Sequence, residues 1–402
     1  MSINKVAIIN SVAEKSTGKI SYGLAKYLKK SGIDTIFCYG YGKRLNDPDT
    51  YRIDNKYERY IHVFFARLTG YQGAYSTCAT KRLIKYLDSK QINAIYGVGL
   101  HGYYLNEKMF WDYVADRKIK FIYIMTEEYP FYGKCGYAND CTNYLYGCGN
   151  CKYLKEYPKS WFADRTAEMF EMKRNAYKNI CEHAIFVGPE YTIKIGKKSP
   201  ILNNIRTIII DEAIDTNFYS PRDTRKLKLE LKLDDSKVVI LCIAPSNQGK
   251  KGAKYFTELA RRFNDNEKYV FIHVGYMGTH VGLPSNYIPI GYVADQELLA
   301  QYYSLGDLFV FPSLLDTMPN TCLEALSCGL PLLCFNTSGM PYLGDESVLT
   351  LVEPKDVDAL VEVVKHTEKR TDDLTRRCRQ YAVNRYNSEV YYEKLKELLT
   401  IS

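Results

Sequence analysis

Two carboxylates stand eight residues apart in Asp316-Thr317-Met318-Pro319-Asn320-Thr321-Cys322-Leu323-Glu324. The apolar run Leu308–Phe311 reads as a buried strand, and Pro312–Asn320 reads as a loop. A helix follows from about Asn320 to Ser327, stopped by Gly329 and Pro331, and a second buried strand is Leu332–Phe335. Asp316 then lies on the loop and Glu324 on the helix, with the helix N-terminus between them. Backbone amides at such a terminus suit an anion such as a diphosphate, and carboxylates suit sugar hydroxyls. A solvated acid on an ordinary strand–helix–strand unit is the plainer reading of an isolated pair. A second cluster is Cys135, Cys141, Cys148 and Cys151, spaced C-x5-C-x6-C-x2-C. In a reducing compartment, four such thiols could hold a structural zinc; buried thiols or one reversible disulfide are the other readings.

The elements that must position these groups alternate along the chain. Strand-like runs in the first half are Val6–Asn10, Thr35–Tyr39, Ala94–Val98, Lys120–Met125, Ala184–Val187 and Thr207–Ile210. In the second half they are Val238–Ala244, Tyr269–Gly275, Ile288–Gly291, Leu308–Phe311, Leu332–Phe335 and Val348–Leu351. Helical segments separate them, which predicts an α/β chain with parallel sheets in two doubly wound domains. The expected boundaries are 1–215, 216–385 and a last helix within 386–402. The polar run Asp215–Asp235 is the expected hinge. Ligands of open α/β sheets sit at the carboxyl ends of strands, so the cleft between the domains is the expected site.

The chain has 402 residues, 46% hydrophobic and 25% charged, which suits two domains with real cores. No apolar run approaches the roughly 18 residues that would span a bilayer. The early first strand argues against a secretory signal, and twelve scattered cysteines argue for a reducing cytoplasm. Charge is uneven. Residues 1–189 hold 28 Lys+Arg and 18 Asp+Glu, a net of +10; residues 190–402 hold 26 and 28, a net of −2, and the two sum to +8. A basic first half points to an anionic partner, either anionic lipid or a pyrophosphate-linked acceptor. No nucleic-acid-binding signature accompanies the charge, so nucleic acid is not expected. Tyr57–Leu68 sets Tyr60, Phe64 and Leu68 on one helical stripe, which fits a core helix or an interfacial one.

With its Pro-Ser, Pro-Asn-Thr and Glu-Ala-Leu-x-Cys-Gly-x-Pro context, 307–342 resembles the Glu-x7-Glu signature of the retaining family 4 glycosyltransferases, of GT-B fold. Asp316 stands where that family usually has Glu. The GT-B fold implies that the last helix, within 386–402, crosses back onto the first domain. Lys251-Gly252 looks like the pair that relatives place beside the donor diphosphate, although Pro245 and Ser246 occupy the region of a usual upstream Arg. Ile214-Asp215-Thr216, Phe218 and Pro221 resemble the family's linker. Leu100–Asn106 resembles a His-x-x-His-Gly-x-x-Leu-Asn segment of capsule and exopolysaccharide members. Residues 126–151 resemble their His-Asp-x-Trp-Pro-Phe-Thr-Gly-Gly-Cys region, with Thr126 in place of His and Glu127 in place of Asp. Ser16-Thr17-Gly18-Lys19 keeps one Gly of a usual pair, in a turn expected to open a helix at Ile20.

The resemblance implies transfer of a hexose from a UDP or GDP sugar to a glycan or polyprenyl-diphosphate-linked acceptor, for a bacterial surface polysaccharide. It assigns Asp316, Lys251, Glu127 and His101 to catalysis, with Glu128 as an alternative to Glu127. It assigns Glu324, Lys251, Asn320, Thr321 and Gly18 to the donor. No catalytic metal is implied. The implied place is the cytoplasm, with docking on the inner face of the plasma membrane as a further expectation. A GT-B sugar-nucleotide epimerase and a non-catalytic sugar-binding subunit are the competing readings.

Overall fold

The computed structural model describes residues 3–137, 140–246, 249–279 and 281–401. The chain forms two compact units. One comprises residues up to Glu212 together with those from Glu389 onward, and the other is Ala213–Ser388.

The first unit holds a seven-stranded sheet of β1 (Lys5–Val12), β2 (Asp34–Tyr41), β3 (Thr50–Arg52), β4 (Ala94–Val98), β5 (Lys120–Ile124), β6 (Ala184–Gly188) and β7 (Arg206–Ile209), in the order β3-β2-β1-β4-β5-β6-β7. Every pairing in it is parallel. Its helices are α1 (Lys15–Lys30), α2 (Lys56–Thr69), α3 (Thr77–Ser89), α4 (Glu107–Asp116), α5 (Thr166–Ile180) and α6 (Glu190–Gly196). Val6 through Ile9 are wholly buried, because a parallel sheet covered on both faces needs apolar residues in succession rather than in alternation.

The second unit holds a parallel six-stranded sheet of β8 (Val238–Ile243), β9 (Tyr269–Val274), β10 (Tyr287–Ile290), β11 (Leu308–Phe311), β12 (Leu332–Phe335) and β13 (Leu349–Val352). The order is β10-β9-β8-β11-β12-β13. Around it lie α7 (Arg225–Glu230), α8 (Ala253–Arg261), α9 (Gln296–Leu305), α10 (Asn320–Ser327), α11 (Val357–Lys365) and α12 (Asp372–Tyr386). A final helix, α13 (Ser388–Glu397), carries the chain into the first unit. There Tyr96 Oη donates to the Leu395 carbonyl at 2.6 Å and Tyr27 Oη donates to Glu393 at 2.5 Å.

Both sheets are doubly wound, and strand order reverses between β1 and β4 and between β8 and β11. Each expected strand is present. The three-residue edge strand β3 is an addition that carries too few residues to show a period. Two expectations are corrected. The helix expected from Ile20 begins at Lys15, so Gly18 lies in its first turn and not in a turn before it. A side chain at Gly18 would press on the backbone of Ala13 and Val12 at 2.7–2.9 Å, so glycine lets α1 start hard against the end of β1. The apolar stripe of α2 does not face the core: Tyr57, Tyr60, Ile61, Phe64, Phe65 and Leu68 are exposed, and His62 and Ala66 face inward.

Candidate active site

Lys251 follows β8 and Asp316 follows β11, so both come from loops at the carboxyl ends of the two strands where the second sheet reverses. That is where open α/β sheets leave a crevice for ligands. Lys251 Nζ lies 2.5 Å from Asp316 Oδ2, and the Asp316 side chain is nearly buried. Backbone contacts enforce the meeting. Leu314 N donates to the Lys250 carbonyl at 2.9 Å, and Ser313 Oγ donates to the same oxygen at 3.1 Å. Gly252 has φ +78°, and a Cβ there would fall 1.8 Å from the Pro312 carbonyl oxygen. Only glycine tolerates both the left-handed backbone and the approach. On the far side of the loop, Gly339 N donates to the Asp316 carbonyl at 2.9 Å. A Cβ at Gly339 would fall 1.6 Å from the Thr317 carbonyl oxygen.

Beyond this loop α10 begins, and its intrahelical bonds start with the amides of Cys322 and Leu323, both directed to the Pro319 carbonyl. Asn320 and Thr321 form the half-buried first turn. Cys322, Leu323, Ala325 and Leu326 are buried and anchor the helix, the leucines contributing about 1.5–3 kcal/mol each. Glu324, on the opposite face, is half-buried. Tyr303 Oη donates to its Oε2 at 2.8 Å, and the Tyr219 hydroxyl bonds the same carboxylate. Burial first, and then the Glu324 charge, pushes both tyrosine hydroxyls above their ordinary pKa. The two tyrosines fix the carboxylate's direction. The sequence reading missed them, since Tyr303 sits in a helical core stripe and Tyr219 in the linker.

In the first unit, the structure joins His101, after β4, to Glu127, after the adjacent β5. His101 Nε2 lies 2.6 Å from Glu127 Oε2. His101 Nδ1 and Glu127 Oε1 are buried without a hydrogen-bond partner. Desolvation, and then the charge of Lys173, pulls His101 down to about 3. Desolvation pushes Glu127 up to about 8, against the pull of Lys173. At neutral pH the pair is thus an imidazole facing a carboxylic acid, with the acid proton donated toward Nε2 and the ring proton on Nδ1. Lys173 is wholly buried, and its Nζ donates to the carbonyls of Tyr129, Tyr132 and Gly133 at 2.8–3.3 Å. It holds the 129–133 turn beneath the pair. Its signal was readable: Lys173 interrupts the buried stripe Met169, Phe170, Tyr177 and Ile180 of α5. Glu128 is buried nearby, its amide bonded to the Gly136 carbonyl.

The four cysteines are free thiols. Cys135 and Cys151 share a hydrogen bond that pulls Cys151 down to about 6, and Gly133 N donates to Cys148 Sγ at 3.3 Å. The donor set fits a thiophilic metal. Holding one would require the side chains to close on it, because among the described residues no three His, Cys, Asp or Glu side chains are already disposed to hold an ion.

Residues 237–368 match the family model described as "Glycosyl transferases group 1". That segment runs from β8 into α11 and contains Lys251, Asp316 and Glu324. This segment of the second unit is similar to group 1 glycosyltransferases. The chain is 26% identical over 259 residues to the UDP-Gal:alpha-D-GlcNAc-diphosphoundecaprenol alpha-1,3-galactosyltransferase of Escherichia coli, covering 59% of this chain and 61% of that relative's length. It is 22% identical over 380 residues to the putative colanic acid biosynthesis glycosyl transferase WcaC of E. coli K12, covering 85% and 87% of the two chains. The chain also shares its fold with solved structures. Sucrose-phosphate synthase of Thermosynechococcus elongatus superposes with a TM-score of 0.65 at 14% identity, over 99% and 98% of the two chains. Anabaena HepE in complex with UDP gives 0.64 at 12%, over 98% and 99%. The fold class is GT-B, with two Rossmann-like units.

Proposed function

We propose that this protein is a glycosyltransferase that moves a hexosyl group, with retention, from a nucleoside-diphosphate sugar to a glycan or polyprenyl-diphosphate-linked acceptor during assembly of a bacterial surface polysaccharide. The observation that carries the reading is the Lys251–Asp316 contact before α10, one helix face away from a Glu324 aimed by two tyrosines. Lys251 and the first amides of α10 take the diphosphate, Glu324 the ribose hydroxyls and Asp316 the transferred sugar. Lys251 is neutralised by Asp316, so the donor must draw it across or bridge both. As the glycosidic bond breaks, charge grows on the departing diphosphate, and a fixed ammonium and helix dipole stabilise it most at that moment. The sugar passes through an oxocarbenium-like state, and the leaving phosphate helps accept the acceptor's proton. In the first unit, His101 and Glu127 hold the acceptor hydroxyl. UDP is favoured as the donor base by the UDP-Gal named for one relative and the UDP bound to a structural neighbour. Among the described residues no helix is long and apolar enough to cross a membrane. The proposed place of action is the cytoplasmic membrane surface.

The test is nucleoside-diphosphate release from a panel of UDP- and GDP-sugars, with and without a lipid-linked acceptor. Acceptor-dependent UDP release supports the reading, and a panel without turnover sinks it. The four cysteines are proposed as a structural zinc site, supported by the direct Cys135–Cys151 contact beside Cys148. Elemental analysis should then find about one zinc per chain by the four-thiolate rule. Metal-free protein that melts at the same temperature as Cys148→Ser would leave a thiol cluster.

A further inference from the structure

A cavity of about 520 Å³ lies at the amino ends of β4, β5 and β6 in the first unit. Small-molecule sites have volumes of this order. Asn93, Lys120 and Ala184 line it, just before or at the start of those strands, whereas His101 and Glu127 follow the other ends of β4 and β5. The length of a five-residue strand, about 16 Å at the usual rise, separates the two places.

The wall is apolar and the charges around it are mostly positive. Ile92, Ile119 and Ala184 are buried, and Ile401 brings the closing segment into the wall. Arg117, Lys118, Lys120 and Arg206 face two acids, Asp88 and Glu182. Asp88 is engaged, with Arg117 3.0 Å from its Oδ2 and the Tyr113 hydroxyl donating to its Oδ1 at 3.3 Å. Glu182 is exposed. Lys120 Nζ donates to the Ile401 carbonyl, and desolvation, then the charge of Arg206, lowers its pKa. Two cations therefore stand close enough to repel, an arrangement that an added anion relieves.

Cations at this end of a sheet commonly serve the carbonyls of helix C-termini. Here backbone amides serve those carbonyls. Gln91 and Ile92 donate to Asp88 and Leu87 at the end of α3, at 2.9 and 3.2 Å, and Lys118 and Ile119 donate to Ala115 and Val114 at the end of α4, both at 3.1 Å. His183 also lines the cavity, and its Nε2 is buried without a hydrogen-bond partner. A neutral imidazole with its proton on Nε2 donates to an acceptor oxygen.

We propose that this cavity is a second small-molecule site, taking an organic anion with an apolar body. The acid oxygens reach Lys120, Arg206 and His183, and the body lies against Ile92, Ile119 and Ala184. Because Ile401 belongs to the wall, occupancy also holds the closing segment on the first unit. The site is independent of the transferase reading.

The full chain is titrated by calorimetry with 2-naphthoate and with its neutral counterpart 2-naphthamide. Naphthoate should bind saturably and at least tenfold tighter than the amide. Lys120→Gln and Arg206→Gln should each weaken it about tenfold, the loss expected for one contact to a charged group. Arg206 is exposed, so its variant should keep the parent's melting temperature. Location is read separately by iodoacetamide labelling and peptide mass spectrometry. Cys181 is half-buried and lines the cavity, so saturating naphthoate should slow its labelling several-fold, while Cys78, exposed on α3, should label at an unchanged rate. Absence of saturable binding, equal affinity for acid and amide, unaltered affinity in both variants, or an unprotected Cys181 overturns the inference and leaves a solvent-filled recess. No readout uses donor turnover, so its failure and that of the transferase reading are distinguishable.

Discussion

Lys251 faces an acid in the folded protein and, in the proposed reaction, a diphosphate. Lys251→Ala should therefore lower kcat on the order of 10²-fold, as for loss of one preorganised electrostatic contact, and change KM for the donor less. Steady-state kinetics on the best donor decide this. A rise in KM at unchanged kcat would make Lys251 a binding residue only.

His101 and Glu127 make a pH prediction. Glu127 rises from 4.5 to about 8, so between those values the folded state keeps a proton that the unfolded state has released. Stability falls as pH rises through that window. His101 drops from 6.5 to about 3, so the unfolded state takes up a proton that the folded state refuses, and stability falls as pH drops through that window. The slopes oppose between 4.5 and 6.5, and above 6.5 only the Glu127 slope of this pair remains. Cys151, held down to about 6, slopes the other way in the same window, so the decline is read as a difference: from pH 6.5 to 8 the parent's melting temperature should fall relative to that of Glu127→Gln. A constant difference across that window would locate the titration elsewhere. At this scale, the positions of Asp316 on a loop and Glu324 on a helix were legible because a Pro-rich stretch and an apolar period mark the loop–helix boundary. The neutral state of the His101–Glu127 pair was not, because it depends on a desolvation set by distant chain segments.

At the scale of elements, glycines fix the loops that carry Lys251 and Asp316. Gly252→Ala must move the Pro312 carbonyl or the Lys251 backbone, at a cost of order 1–3 kcal/mol for the left-handed conformation alone. It should lose transfer activity without removing any functional group. Gly249→Ala, in the same loop with open space around it, should leave activity near the parent's and serves as the control. Equal activity of the two variants would mean the loop position is not limiting. Strands and helix α10 were legible because continuous apolar runs bounded by Gly and Pro leave few alternatives. The orientation of α2 was not: a period reveals that a stripe exists, but the partner that packs against it decides which stripe turns inward. The early start of α1 escaped because Gly18 looks like a breaker, while its role is close approach.

At the scale of the whole molecule, strand–helix alternation carried the fold class, since parallel strands require crossovers and crossovers here are helices. The return of the closing segment 389–401 to the first unit followed from the family resemblance and not from its own residues, and packing shows what holds it. Tyr391, Tyr392, Leu395, Leu398 and Leu399 are buried, and the Tyr392 hydroxyl occupies the space a side chain at Gly23 would take. A chain stopped at Ser388 should therefore melt in two transitions under calorimetry, with the first unit's lowered and the second unit's unchanged. A single unshifted transition would show that the segment contributes nothing.

The same threading sets an order of events during synthesis. Residues 213–388 are contiguous and can complete their packing as soon as they emerge, whereas the unit begun first must wait for α13. Until then Tyr96 and the groove beside Gly23 lack their partners, so the nascent first unit is the part most dependent on chaperones. Premature termination anywhere before the last helix therefore releases a chain whose first unit was never finished.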